Sequence, residues 1–253
     1  MYALEFYDGL APLYHLVYDN WEASIERQGK ALDSIIRSCL GEMPQSILDV
    51  SCGIGTQCLG LAALGHRVTG FDLSSAAVER ARREAAARRL SIDFTVADMR
   101  VPGNHRGRDF DVVLCADNSL PHLLSDQEII GALGHFLAAL KPGGLCLISV
   151  RDYAALERGG VQVKPHGIRS EKGTRWILFQ LWDWRGAIYD LQFYFVADNG
   201  QSPCITHVFR SSYYAISIEH LIRLMVSVGF EQVQRMDDVF FQPIIAGRRR
   251  LVA

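Results

Sequence analysis

Ten residues, Ser46-Ile-Leu-Asp-Val-Ser-Cys-Gly-Ile-Gly55, constrain the fold of this chain more than any other stretch. A short apolar, β-branched run reads as a buried strand. It breaks into small residues and two glycines, and a helical pattern starts at Thr56. Strand, glycine turn and helix make the crevice that an α/β sheet opens at a strand's carboxyl end. The glycines let the backbone approach a ligand, because no Cβ stands in the way. The dinucleotide fingerprint would need a third glycine where Cys58 stands, and no P-loop lysine follows. A second strand, Arg67-Val-Thr-Gly-Phe-Asp72, ends in an acid. An acid in that place accepts both hydroxyls of a ribose. The expected ligand is a nucleoside without a pyrophosphate.

The pattern continues as strand and helix in turn. Strands are expected near 46–50, 67–71, 91–96, 110–115 and 144–150, and helices near 56–64, 74–89 and 126–140. Repeated βα units require a parallel sheet with right-handed crossovers. Ser74 suits the N-cap of the alanine-rich second helix, and Pro142-Gly-Gly144 is expected to end the helix before the fifth strand. Residues 1–45 precede the sheet. Pro12 is expected to start a helix carrying Tyr14 and Tyr18 on one face, and a second helix runs from Trp21 to Leu40. Residues 151–214 break the alternation. Three aromatic-rich segments, near 175–184, 188–196 and 206–214, are separated by Gly186 and Asn199-Gly200 and predict a three-stranded antiparallel insertion. Residues 215–253 return to the first domain with a helix from Ser217 and two last strands.

In order, the chain carries Asp49-Val-Ser-Cys-Gly-Ile-Gly55, Phe71-Asp-Leu-Ser74, Val96-Ala-Asp-Met99, Asp109-Phe-Asp-Val-Val-Leu-Cys-Ala116 and Leu140-Lys-Pro-Gly-Gly-Leu145. In these five motifs it resembles the class I S-adenosylmethionine-dependent methyltransferases. The resemblance implies an α/β, Rossmann-like, doubly wound and mostly parallel seven-stranded sheet with an N-terminal helical lid and an antiparallel β insertion. It implies S-adenosylmethionine as cofactor, S-adenosylhomocysteine as product, and no metal. By the same resemblance Gly53 and Gly55, with Ser51 where many members have glycine, cradle the methionine part, and Asp49 holds its ammonium directly or through water. Asp72 with Leu73 takes the ribose, Asp98 and Met99 take adenine, and Asp117 and Asn118 face the methyl group.

Asn118-Ser-Leu-Pro-His-Leu123 and Leu145-Cys-Leu-Ile-Ser-Val-Arg-Asp-Tyr153 narrow the likeness to the glycine and sarcosine N-methyltransferases. Leu120 and Asp152 depart from that pattern. The likeness implies Arg151 on the acceptor's carboxylate, with a salt bridge near Asp183 or Asp190 as the plain alternative. His122 is the candidate proton acceptor, Tyr7 the second candidate, and Asn118 their polar neighbour. Tyr7, Tyr14, Trp21, Asn118, Arg151, Trp182 and Tyr194 are the expected acceptor contacts. The aromatic insertion and lid lean toward a planar nitrogen heterocycle of the azapteridine, toxoflavin-like kind, against an amino acid or amine. O- or C-methylation of a metabolite, an RNA or DNA methyltransferase, and a non-catalytic cofactor-binding protein stay as alternatives.

Composition bears on partners. The net charge is −2, with 26 basic and 28 acidic side chains, so no basic stripe marks a nucleic-acid partner. Six cysteines lack metal spacing, and no apolar run is long enough to span a membrane. The expectation is a reduced, cytoplasmic enzyme with a small-molecule acceptor, no nucleic acid and no membrane, as a monomer or homodimer.

Overall fold

The structure is a computed structural model and describes residues 2–101 and 109–251. Helices α1 (Tyr2–Leu10) and α2 (Trp21–Leu40) precede β1 (Ser46–Asp49), α3 (Thr56–Ala63), β2 (Arg67–Asp72), α4 (Ser75–Ala87) and β3 (Asp93–Val96). Then come β4 (Phe110–Cys115), α5 (Asp126–Ala139) and β5 (Leu140–Ser149). Strands β6 (Val161–Glu171), β7 (Thr174–Arg185), β8 (Ile188–Asp198) and β9 (Ile205–Tyr214) follow, and α6 (Ile218–Val228), β10 (Phe230–Met236) and β11 (Ile244–Arg249) close the chain.

Seven strands form one sheet in the order β10-β11-β5-β4-β1-β2-β3. β1 lies parallel between β2 and β4, and the final pair β10 and β11 runs antiparallel. Ile47, Leu48, Val112, Val113 and Leu147 are buried, because helices cover both faces. That is why the central strands are continuous apolar runs rather than alternating ones. The order reverses beside β1, so the crevice opens at the carboxyl ends of β1, β2 and β4.

Helix starts follow local chemistry. Asn20, Ser74, Ser125 and Ser217 each accept a hydrogen bond from a first-turn N–H of α2, α4, α5 and α6. α3 differs: its N-cap is Gly55, with no side-chain acceptor. α2 packs against α3 where Gly29 and Gly60 meet, and a Cβ on Gly60 would lie 2.8 Å from Gly29 Cα and collide with Ile25 O. Only glycine at both places brings the helices this close, which seats the start of α2 beside the start of α3. Trp21 Nε1 then donates to Thr56 Oγ1 at 2.9 Å.

The second sheet is antiparallel, in the order β6-β7-β8-β9. The insertion therefore has four strands, where three were expected. β6 escaped notice because Pro165 and Gly167 interrupt it, and the register slips between them. Proline is tolerated there because β6 is an edge strand. The sheet's inner face carries Trp182, Trp184, Tyr189, Phe193, Phe195 and Tyr213, all buried in one core with Phe6 and Leu10 of α1. Each such fully buried large side chain contributes roughly 1.5–3 kcal/mol. α1 ends before Pro12 instead of starting there, and Tyr14–Val17 is a short 3₁₀ turn. Pro142 lies inside β5, after α5 has already stopped at Ala139. Among the described residues no helix is long and apolar enough to cross a membrane.

Candidate functional site

Each of β1 to β4 delivers an acid at or just past its carboxyl end: Asp49, Asp72, Asp98 and Asp117. Above them opens a cavity of about 280 Å³ lined by Tyr7, Tyr14, Tyr18, Ser51, Gly53, Asp72, Leu73, Asp98, Met99, Asp117 and His122, among others. Nine of the residues expected on cofactor or acceptor share this one space with Tyr18, which was not among them, and Ser211 and Ser212. Asp49 and Gly55 lie behind the lining.

The glycine turn is held from below. Gly53 has φ 51° and Gly55 φ 94°, a left-handed backbone that L side chains rarely adopt. A Cβ on Gly53 would meet nothing within 4 Å. Asp72 ties the turn to the second strand: Gly53 N donates to its Oδ2 at 2.8 Å, and Ser74 N to its Oδ1 at 2.9 Å. One lone pair on each oxygen is left for a ribose hydroxyl. α3, without a side-chain cap, points free N–H groups at the same turn, where a carboxylate fits.

Three of the four acids lack a basic partner among the described residues. Asp49 is 1% exposed. Its partners are the Ser51 N–H at 3.1 Å and the Cys58 S–H at 3.3 Å, and burial pushes its carboxyl up to about 7. Desolvation raises Asp72 and Asp117 as well. Uncompensated carboxylates of this kind suit a cationic ligand. S-adenosylmethionine, with an ammonium and a sulfonium, fits this charge pattern; Gly53 and Asp72 would hold it, and Asp49, outside the lining, would act on its ammonium through a water. Asp98 is the exception: burial works against its charge, yet Arg100, bonded at 2.6 Å, holds it below the usual range.

Asp117 and Asn118 are consecutive non-glycine residues with φ 55° and 61°. Each such residue costs on the order of 1–3 kcal/mol, so the surroundings must impose it. They do. Asp117 N donates to Ser149 Oγ at 2.7 Å and Asn118 N to Ser149 O at 3.1 Å. Asn118 Oδ1 accepts from Arg151 N at 2.9 Å, and its Nδ2 donates to Tyr153 Oη at 2.8 Å. Asn118 is 4% exposed and lines neither cavity, and its side chain is bonded within the loop, to Arg151 N and Tyr153 Oη.

Across Asp117 lies a second cavity of about 730 Å³, lined by Tyr18, Asp19, Arg27, Asp117, Arg151, His166, Arg169 and neighbours. Tyr18 and Asp117 line both spaces, and Tyr18 Oη donates to Asp117 Oδ2 at 3.3 Å. β6 puts Tyr18 there. Arg169 Nε donates to Tyr18 O at 2.9 Å, His166 Nε2 to Val17 O at 2.8 Å, and His15 pairs with Glu171 at 3.1 Å. Sequence reading missed Tyr18, His166 and Arg169 as site residues because it missed this strand.

The remaining expected contacts divide. Arg151 lines the second cavity. It donates to Tyr189 Oη at 3.0 Å and covers the Trp182 ring at 4.7 Å, with no ion-paired carboxylate among the described residues, while Asp190 pairs with Arg185 instead. Trp182 is buried beneath that guanidinium and its indole N–H is taken by Gln180. Tyr194 points to the outer face of the second sheet, stacked 4.7 Å from Phe179, so its expected acceptor contact is corrected. Trp21 is core, under Arg80 and Arg88. His122 has both ring nitrogens engaged, by Tyr7 Oη at 2.8 Å and Ser211 Oγ at 3.1 Å. Desolvation pushes its pKa down to about 3, a poor match for a proton acceptor near neutrality.

A family profile described as a methyltransferase domain matches residues 47–144. The chain is 28% identical over 225 residues to a glycine/sarcosine N-methyltransferase from Parasynechococcus marenigrum, spanning 87% of this chain and 73% of that one. It is 30% identical over 179 residues to a dTDP-3-amino-3,6-dideoxy-alpha-D-glucopyranose N,N-dimethyltransferase from Streptomyces fradiae, spanning 66% and 68%. In fold it is similar to the CcbJ methyltransferase from Streptomyces caelestis, with TM-score 0.80 at 17% identity over 97% of this chain and 98% of that one.

Proposed function

This chain belongs to the class I S-adenosylmethionine-dependent methyltransferases, and from that premise we propose that it N-methylates a small polar acceptor bearing an anionic group. The carrying observation is the second cavity, which abuts the cofactor space across Tyr18 and Asp117 and presents Arg151, which has no ion-paired acid among the described residues. A half-buried guanidinium stacked on Trp182 suits a carboxylate or phosphate of the acceptor. Two relatives, a glycine/sarcosine N-methyltransferase and an amino-sugar N,N-dimethyltransferase, both act on amines, which supports the same reading. For a planar heterocycle, the lid's Tyr7 and Tyr14 line the first cavity, but the insertion's Trp182 and Tyr194 line neither, so half of the expected aromatic wall is absent.

S-adenosylmethionine, when bound, supplies a methyl group already activated for displacement. What falls to the protein is alignment and dryness, which in well-oriented reactions contribute roughly 7–11 kcal/mol. Tyr7, Tyr14 and Tyr18 wall the cofactor space toward α1 and exclude water. Arg151 and the Asn118 loop fix the acceptor's direction of approach. Asp8 of α1 anchors this wall, accepting from Ser74 Oγ at 2.5 Å and Ala76 N at 3.2 Å.

The test is transfer of labelled methyl to a panel: glycine, sarcosine, an amino-sugar nucleotide, a heteroaromatic nitrogen base and a catechol. Turnover confined to acidic amines is expected. Turnover confined to the heteroaromatic base or the catechol would overturn the amine reading.

A further inference from the structure

We infer that Asp117 anchors the acceptor as an ammonium and takes its proton, so that the enzyme selects a basic amine. The inference rests on the N-methyltransferase reading above. Asp117 and Tyr18 are the residues that line both cavities, and Asp117 alone of the two brings a carboxylate to the junction. Its strained left-handed backbone is held by Ser149, so the placement is imposed rather than incidental. Tyr18 occupies one lone pair of Oδ2, which leaves Oδ1 open to the spaces it lines. No basic side chain ion-pairs with it among the described residues. Arg151, its nearest cationic influence, sits in the second cavity and is itself open to an anion.

His122 does not compete for this role. Both its nitrogens are bonded, its ring lies 4.0 Å from that of Tyr213, and it lines only the cofactor space. Desolvation raises the Asp117 carboxyl, the Tyr18 hydroxyl and Arg151 lower it, and the Tyr7 and Tyr14 phenols feel its charge from the N-terminal wall.

The step balances. An acceptor R–NH₃⁺ gives one proton to the Asp117 carboxylate: the N–H bond breaks, an O–H bond forms, and the nitrogen lone pair is freed. The nitrogen then bonds the methyl carbon as the carbon–sulfur bond breaks and sulfur keeps the pair. The N-methylated product leaves as a cation, and Asp117 returns its proton to water through the second cavity.

Asp117→Asn is the decisive variant, because asparagine keeps the size and accepts the left-handed backbone. Methylammonium is the minimal probe, titrated into the S-adenosylhomocysteine complex by saturation-transfer NMR. Saturable binding to wild type, weakened at least about tenfold by Asp117→Asn, is expected. Equal binding to both proteins, or none to wild type, overturns the proposal. For any amine the wild type turns over, kcat/KM at pH 7 should fall about 10²–10³-fold in Asp117→Asn. That loss should shrink as pH approaches the amine's own pKa, since neutral amine then arrives from solution, whereas a merely structural role would give a pH-independent loss. Far-UV circular dichroism and a cooperative thermal melt like those of wild type check that the fold survives. If wild type methylates only a weakly basic ring nitrogen or a hydroxyl, the amine reading fails by itself, and methylammonium binding still decides Asp117.

Discussion

Asp49→Asn should raise the stability of the cofactor-free protein while weakening its hold on the cofactor. In the folded chain, burial pushes the Asp49 carboxyl up to about 7, with only the Ser51 N–H and Cys58 S–H as partners. In the unfolded chain it returns to about 3.9. Because the folded value is the higher one, the folded protein holds this proton more tightly. The stability this confers is full below about pH 4 and is lost as pH rises through 7. A gap of about three units corresponds to roughly 4 kcal/mol at neutral pH and above. Asparagine keeps the acceptor for Ser51 and carries no charge, so denaturant melts at pH 8 should show the variant more stable by about 2–4 kcal/mol, with a flatter pH dependence. The cofactor's ammonium favours ionised Asp49, so binding must release a proton. Wild-type affinity should fall about fivefold from pH 7 to 6 and nearly tenfold more from 6 to 5. Calorimetry in buffers of different ionisation enthalpy reads both the affinity and the proton. A wild-type Kd independent of pH between 5 and 8, with no proton released, would refute the placement of the ammonium at Asp49.

Three further outcomes are expected. Gly60→Ala drives a Cβ into Ile25 O and Gly29 Cα, so it should cost about 2–3 kcal/mol and lower Tm by about 5–10 °C in a thermal scan. Arg151→Met should raise KM for an anionic acceptor at least tenfold, about 1.5–3 kcal/mol of lost charged hydrogen bonding, with cofactor Kd unchanged; steady-state kinetics decides it. The pH–rate profile should show no limb near 6.5 from His122, already driven down to about 3, and His122→Asn should lose less than about 10²-fold in kcat.

Much of the nucleotide-binding half was legible because its signals are local. A buried apolar run, a left-handed turn that only glycine suits, and serine N-caps each act within a few residues. They locate β1, β2, β4, α3 and α4 to within a residue or two, and the acids at the strand ends follow from the fold's geometry. The second sheet was harder for a physical reason. In β7 and β8 aromatic residues occupy both parities, as in Phe193-Tyr194-Phe195, so period-2 alternation does not reveal which face is inside. Packing against α1 and the first sheet decided it, burying Trp182 and turning Tyr194 outward. β6 was hidden because Pro165 and Gly167 carry the signal of a loop, and only pairing with β7 makes the segment a strand.

The sequence by itself determined that this chain makes a parallel sheet with a pyrophosphate-free nucleoside crevice at β1, since strand, turn and cap are chosen by neighbours in the chain. Only the tertiary structure decided what meets the methyl donor. Tyr18 and Asp117 are 99 positions apart and touch because β6, some 150 positions beyond Tyr18, grips the segment that carries it. Contacts at that separation depend on how the two sheets dock, and no pattern within either segment encodes it.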